Sequence, residues 1–413
     1  MESNIFDLFL WLSIGAGFLM AFNLGANDVA NSMASAVGAR AITVKQAVWI
    51  AGILNFTGAV FLGSHVTKTV AKGIVNIGQI ADPAVIMVGM FAALLAAGVW
   101  VLVATLTSLP VSSTHSIVGA ILGFGFVAGG PGVVNWAKMG GIVLSWVVSP
   151  FFAATIAFAI FSHIRHYILY KKEFILQAKR WGPRWAALTV ALICFSFLFK
   201  TPVGQELDLG WAGATLLALA LSFLTWLGGR AAMARLTLNV EQGAEAVELV
   251  FRRMQVGTSC YVALAQGAND VANAIGPVAA IYMIAREHQV VETAGVSIWM
   301  LMLGGVGIAA GITALGHKVM STVGQKITTL TNTRGFAVDF GAASTVLVAS
   351  NLGLPVSTTH AAVGGVVGVG LARGFSAVDF RVLGRIVLYW VLTVPVAAFT
   401  SIVFYEILHW ICL

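Results

Sequence analysis

Two segments of this 413-residue chain occur twice and carry most of its unusual chemistry. Gly-Ala-Asn-Asp-Val-Ala-Asn stands at 25–31 and again at 267–273, each time inside an otherwise apolar stretch. Leu-Pro-Val-Ser-Ser-Thr-His at 109–115 recurs at 354–360 with Thr in place of the second Ser. The first motif supplies a carboxylate, Asp28 or Asp270, flanked by the amides of Asn27 and Asn31 or of Asn269 and Asn273. A carboxylate in such surroundings costs roughly 2.5 to 3.5 kcal/mol on insertion scales, so it needs a partner, and no Lys or Arg is near in sequence. Carboxylate and amide oxygens three or four residues apart on a helix share one face and are the hard ligands a small cation takes. Sodium fits this set, as does a proton carried by the Asp, and so does a hydrogen-bonded clamp between helices.

The second motif reads as a helix start. Pro ends the preceding segment, and Ser112, Ser113 and Thr114, or Ser357, Thr358 and Thr359, can cap the next helix. A helix N-terminus with free amides and hydroxyl donors binds an anion without any arginine, and two of them could converge on one anion. The plainer alternative is a pair of ordinary caps on Pro-broken helices. His115 and His360 close the two copies, and a structural hydrogen bond to a neighbouring carbonyl is the default role for each.

The elements that must hold these groups are membrane helices. Charged residues are 9% and hydrophobic residues 59% of the chain, and mean hydropathy is +0.93, far from a soluble domain. Apolar stretches near the roughly 20 residues a spanning helix needs fall at 5–24, 46–63, 84–106, 139–161, 186–200, 210–228, 293–316, 336–352 and 386–409. No alternating barrel strands occur, which leaves helices to satisfy the backbone in lipid. The motif offsets, 242 (267 minus 25) and 245 (354 minus 109), are nearly equal and mark a duplication. The expected fold is an all-α integral membrane protein of about 12 crossings, in two inverted repeats with broken helices or re-entrant hairpins at the motif segments. Its organisation is a first repeat at 1–161, a linking region with a basic loop and two spans at 162–253, and a second repeat at 254–413.

Topology follows from the basic residues. With both termini outside, only Lys68, Lys72, Lys138, Lys200 and Arg286 of the 23 Lys and Arg lie outside, as the positive-inside rule requires. Five crossings per repeat and two between them then place the repeats in opposite senses, the usual design of secondary transporters with a midplane site. The first segment lacks a basic leader and a cleavage site, so it reads as a span and not a signal peptide. The basic run from Arg165 to Arg184 reads as a solvated cytoplasmic loop beside anionic lipid, not a nucleic-acid site, despite the net charge of +7. Asp339 reads as an ion ligand or a solvated helix end, with the end favoured, and Glu241, Glu245 and Glu248 as one solvated face. Cys194, Cys260 and Cys412 have no metal-like spacing and read as core. Gly304-Gly305 and Gly364-Gly365 read as close helix contacts. No P-loop supports ATP-driven transport, and no nucleophile, base and orienting group recur as an enzyme would need.

Both motifs, in both copies, resemble the signatures of the inorganic phosphate transporter (PiT) family of secondary carriers, and the likeness extends from Gly25 to the C terminus. The resemblance implies import of inorganic phosphate down a sodium or proton gradient, an inverted-repeat helical fold, a homodimer in the cell membrane, and no cofactor. It assigns Asn27, Asp28, Asn31, Asn269, Asp270 and Asn273 to ion coupling, and Ser112, Ser113, Thr114, Ser357, Thr358 and Thr359 to phosphate. The copies diverge just past the first motif, Ser32-Met33-Ala34-Ser35 against Ala274-Ile275-Gly276-Pro277, so the two ion positions need not be equivalent. A sulfate or metal-phosphate carrier and a passive anion channel are the rival expectations.

Overall fold

The computed structural model describes residues 2–63, 74–80, 82–200, 204, 207–235, 244–287, 296–351 and 356–413. Lys68, Lys72, Glu241, and Leu354 and Pro355 of the second motif lie outside the described residues. Those described form twelve α-helices and no strand: α1 Glu2–Gly38, α2 Val44–Leu62, α3 Pro83–Leu106, α4 Ser113–Gly129, α5 Trp136–Ile164, α6 Phe174–Lys200, α7 Gly210–Arg235, α8 Ala244–Glu287, α9 Ile298–Ser321, α10 Asn332–Asn351, α11 Thr358–Arg373 and α12 Phe380–Cys412. Eight of the described helices are long and apolar enough to span a bilayer. Large apolar side chains, among them Trp11, Trp49, Phe151, Trp211, Phe399 and Trp410, face outward, as on a protein whose solvent is hydrocarbon.

Helix boundaries match at the two copies of the Pro-Ser/Thr motif. Ser112 caps α4 by accepting from His115 N, and Ser357 caps α11 by accepting from His360 N. Asn135 and Asp379 cap α5 and α12 in the same way. Between them, Gly130 (φ +75°) and Gly374 (φ +122°) turn the chain with backbone angles that side chains resist.

Packing is reciprocal between the halves: α1 lies on α9 and α8 on α2, while α4 lies on α12 and α11 on α5. The first glycine of each motif makes this possible. A Cβ on Gly25 would stand 2.9 Å from Ile308 Cα of α9, and one on Gly267 2.5 Å from Asn55 Cα of α2, both inside contact distance. Small residues at such crossings let backbones approach where lipid offers no hydrophobic drive for association. Gly364 lies against the Pro150 backbone and Gly365 against Val338, as the paired glycines suggested, and Gly304 and Gly305 meet Val271 and Phe56.

Three expectations need correction. The Asp motifs do not break their helices: α1 and α8 run continuously through them, past Pro277 in α8. The interruptions fall instead at the Pro-Ser/Thr motifs, where α3–α4 and α10–α11 fold back as hairpins. The basic run is largely helical rather than an open loop, with a π turn at Arg165–Leu169 and Lys179, Arg180 and Arg184 on α6. Finally, Glu248 is not merely solvated, since its carboxylate accepts from Thr333 N and Oγ1 at 2.8 Å each and so holds the start of α10.

Candidate substrate and cation site

Both hairpin tips meet the two Asp motifs in the protein interior. Asn27 uses its whole amide to pin the first tip: Nδ2 donates to Thr105 Oγ1 at 3.0 Å and to Leu109 O at 3.1 Å, and Oδ1 accepts from Val111 N at 3.1 Å. It is therefore a clamp, with no lone donor left over. Asn31, one turn on, reaches the other repeat. Its Nδ2 lies 3.2 Å from Thr358 Oγ1, 2.9 Å from Thr359 Oγ1 and 3.3 Å from Asp28 Oδ1. The second repeat replies in kind, with Asn273 Nδ2 donating to Thr114 Oγ1 at 3.3 Å. Each motif thus binds the opposite repeat's hairpin.

The carboxylates are enclosed, Asp28 at 1% and Asp270 at 2% exposure. Asp28 Oδ1 accepts from Thr359 Oγ1 at 3.4 Å, and Oδ2 has no partner. Asp270 accepts from Asn269 Nδ2 at 3.3 Å and lies close enough to Asp28 for the two charges to repel. Gln266, one turn before Asp270, donates from Nε2 to the Asp28 backbone carbonyl at 2.5 Å and leaves Oε1 unpaired. Asn31 Oδ1 is unpaired too. Buried acceptors normally find donors. Oxygens of Asp28, Asn31 and Gln266 without one, beside a second carboxylate, are the donor set a hard cation completes.

All twelve residues named from the sequence occupy this region. Ser112 and Ser357 act through their caps, whereas Ser113, Thr114, Thr358 and Thr359 hold hydroxyls at the two helix N-termini, where amide dipoles favour an anion. Behind the tips the histidines meet edge to face at 4.5 Å between ring centroids. His115 lies over Trp146 at 3.6 Å and His360 over Trp390 at 3.8 Å, while His360 Nδ1 is 3.0 Å from Trp146 O. For His360 that is the carbonyl bond expected of it.

Asp339 corrects the favoured solvated end and keeps the ion-ligand alternative. It is 2% exposed rather than at a solvated end, and accepts from Ser35 Oγ and Ser259 Oγ at 2.5 Å each and from Thr258 Oγ1 at 3.5 Å. This all-oxygen cluster joins α1, α8 and α10, and is a second place where a cation could sit. The chain order offers little warning of it, because Ser35 stands 304 residues from Asp339. Gln266 was missed, although its position four residues before Asp270 was a usable signal.

A profile of the phosphate transporter family matches residues 24–401. The chain belongs to the phosphate transporter family. Within that family, a protein named as a phosphate permease from Pyrococcus abyssi is 49% identical over 405 residues, spanning 98% of this chain and 99% of its own length. The chloroplastic inorganic phosphate transporter 2-1 of Arabidopsis thaliana is 40% identical over 412 residues, 94% of this chain and 70% of that protein. A solved structure named as the sodium-dependent phosphate transporter superposes with a TM-score of 0.88 at 48% identity, covering 98% of this chain and 100% of that one. This member of the phosphate transporter family is a multi-pass membrane carrier and not an enzyme.

Proposed function

We propose that the protein imports inorganic phosphate together with sodium through the central site. One observation carries this reading: acceptor oxygens of Asp28 and Asn31 lie buried without donors, beside two hydroxyl-lined helix N-termini from opposite repeats. The N-termini suit the oxyanion, and the carboxylates need cations before an anion can approach them. A cation between Asp28 and Asp270 relieves their repulsion and screens the substrate charge, so both solutes bind better together than alone. Ser113, Thr114, Thr358 and Thr359 would hold the phosphate; Asp28, Asn31, Asp270 and Asn273, with Asn27 and Asn269 beside them, would hold or position the cations. The solved relative's sodium dependence favours sodium over the proton.

Twelve helices in two repeats related by inversion, flanking α6 and α7, are consistent with the loop contacts. Arg252 Nε donates to Ala41 O, Asp379 N to Ile327 O, and Arg165 to Ala372 O, all between segments expected at the inner face. Asn76 N donates to Val133 O and Asn135 N to Ile74 O, between loops expected outside. Both termini then face out of the cell membrane, with α3–α4 and α10–α11 as re-entrant hairpins. The outward apolar surface would contact lipid and, in a homodimer, a second copy. Alternating access follows if binding both solutes favours exchange of the side to which the hairpins open.

The test is uptake of labelled phosphate by proteoliposomes carrying Asp28→Asn or Asp270→Asn. Each keeps shape and removes one charge, and sodium-driven uptake should fall about 100-fold, the scale of losing a buried charge partner. Wild-type rates in both would sink the proposal.

A further inference from the structure

A cavity of about 300 Å³ opens where α1 ends, lined by Val37, Arg40, Ile42, Thr43, Val44, Gln46, Arg252 and Gln325. No lining residue is acidic, and its two arginines come from separate segments, Arg40 from the turn after α1 and Arg252 from α8. Arg252 spends Nε on Ala41 O at 2.8 Å, which fixes the fork and leaves its terminal nitrogens unpaired; Arg40 has no side-chain partner among the described residues. Thr43 and Gln46 supply further polar groups, although they also bond each other in the capping box of α2.

Arg40 is conspicuous for its backbone. It stands at φ +57°, with Arg40 N bonded to Val37 O at 3.0 Å and Ala41 N to Ala36 O at 2.8 Å. Those bonds form a Schellman stop, whose left-handed residue is usually Gly. An arginine at a position built for glycine points to a use for its side chain.

A polar seam joins this cavity to the central site. On α8, Asn273, Asp270, Gln266, Ser259, Gln255 and Arg252 fall on one face at helical spacing, and on α1, Asp28, Asn31 and Ser35 do the same, with Ser35 and Ser259 both donating to Asp339 of α10. Gln255 is fully buried with neither amide atom paired, so the seam holds polar capacity between its two ends. At the equivalent positions of the first repeat, Leu10 and Leu24 replace Arg252 and Gln266, so no matching seam leads the other way along α1.

We propose that the Arg40–Arg252 cavity is a second oxyanion site that takes a phosphate group at the cytoplasmic end of the transport path. This rests on the reading that the protein carries phosphate. Free inorganic phosphate and the phosphate of an anionic lipid headgroup share this recognition chemistry. Two N–H forks suit such a group through bidentate contacts.

The experiment compares wild type, Arg40→Gly, Arg252→Gln and Arg252→Lys, each as full chain in vesicles of phosphatidylcholine alone and of phosphatidylcholine with phosphatidylglycerol. Phosphate exchange is measured with inorganic phosphate titrated separately on each face. Arg40→Gly suits the left-handed backbone, so its melting temperature should not fall. The half-saturating phosphate concentration on the cytoplasmic face should rise about tenfold in Arg40→Gly and Arg252→Gln, the loss of one charge-assisted hydrogen bond, and less in Arg252→Lys, with the external face moving far less. If the occupant is lipid phosphate, wild type should respond to phosphatidylglycerol and the variants should not. Variants matching wild type on both faces in both lipids would overturn the site alone. Absence of phosphate exchange by the wild type would overturn the transport reading as well.

Discussion

At the scale of single residues, the two asparagines of the first motif copy do different work. Asn27 spends its amide on Thr105, Leu109 and Val111, whereas Asn31 keeps Oδ1 unpaired and reaches across to Thr358 and Thr359. Asn27→Leu would strand a buried backbone N–H and should lower stability by about 1 to 3 kcal/mol, read as a lower melting temperature in detergent. Thr359→Val preserves the β-branched shape and removes only the hydroxyl shared by Asp28, Asn31 and Val111 O. Half-saturating phosphate or sodium should rise about tenfold while the melting temperature changes little, since one such hydrogen bond in a membrane protein contributes about 0.6 kcal/mol to folding. An unchanged half-saturation in Thr359→Val would remove that hydroxyl from the site. These residues were legible because motif and spacing named them. In sequence, Asp339 reads first as a solvated end and second as an ion ligand, because its donors Ser35 and Ser259 arrive from other helices, 304 and 80 residues away.

At the scale of elements, the hairpins were foreseeable from Pro and hydroxyl residues at a fixed offset, and their Ser112 and Ser357 caps form as those residues dictate. Unbroken α1 and α8 were not. A polar motif in an apolar stretch suggests unwinding, but here its amide N–H donors find partners on other helices, so the backbone bonds need not open. The motif glycines belong to this scale as well. Gly25→Leu and Gly267→Leu would each force two helices apart where α1 meets α9 and α8 meets α2. Each should lose folded protein, seen as aggregation in size-exclusion chromatography, with costs of about 1 to 3 kcal/mol or more for overpacking. Monodisperse protein at wild-type yield would show that the two helix crossings have room for a side chain.

At the scale of the whole molecule, duplication, charge bias and reciprocal packing agree. The first repeat's α4 and the second repeat's α11 each rest on the last helix of the other half, so neither hairpin is supported by its own repeat alone. Sidedness can be read with single cysteines introduced at Lys138 and Lys172 after replacing Cys194, Cys260 and Cys412, all free thiols. An impermeant thiol reagent on intact cells should label the first and spare the second; the reverse pattern would invert the topology. The joining of both halves at one site leads to a single decisive measurement: labelled phosphate uptake by proteoliposomes of the purified wild type, under an imposed sodium gradient and separately under a proton gradient, with unlabelled sulfate present. Uptake driven by sodium and resistant to sulfate is the predicted result. Uptake indifferent to sodium, or abolished by sulfate, would contradict a site in which cations at Asp28 and Asp270 recruit phosphate to the two hairpin tips.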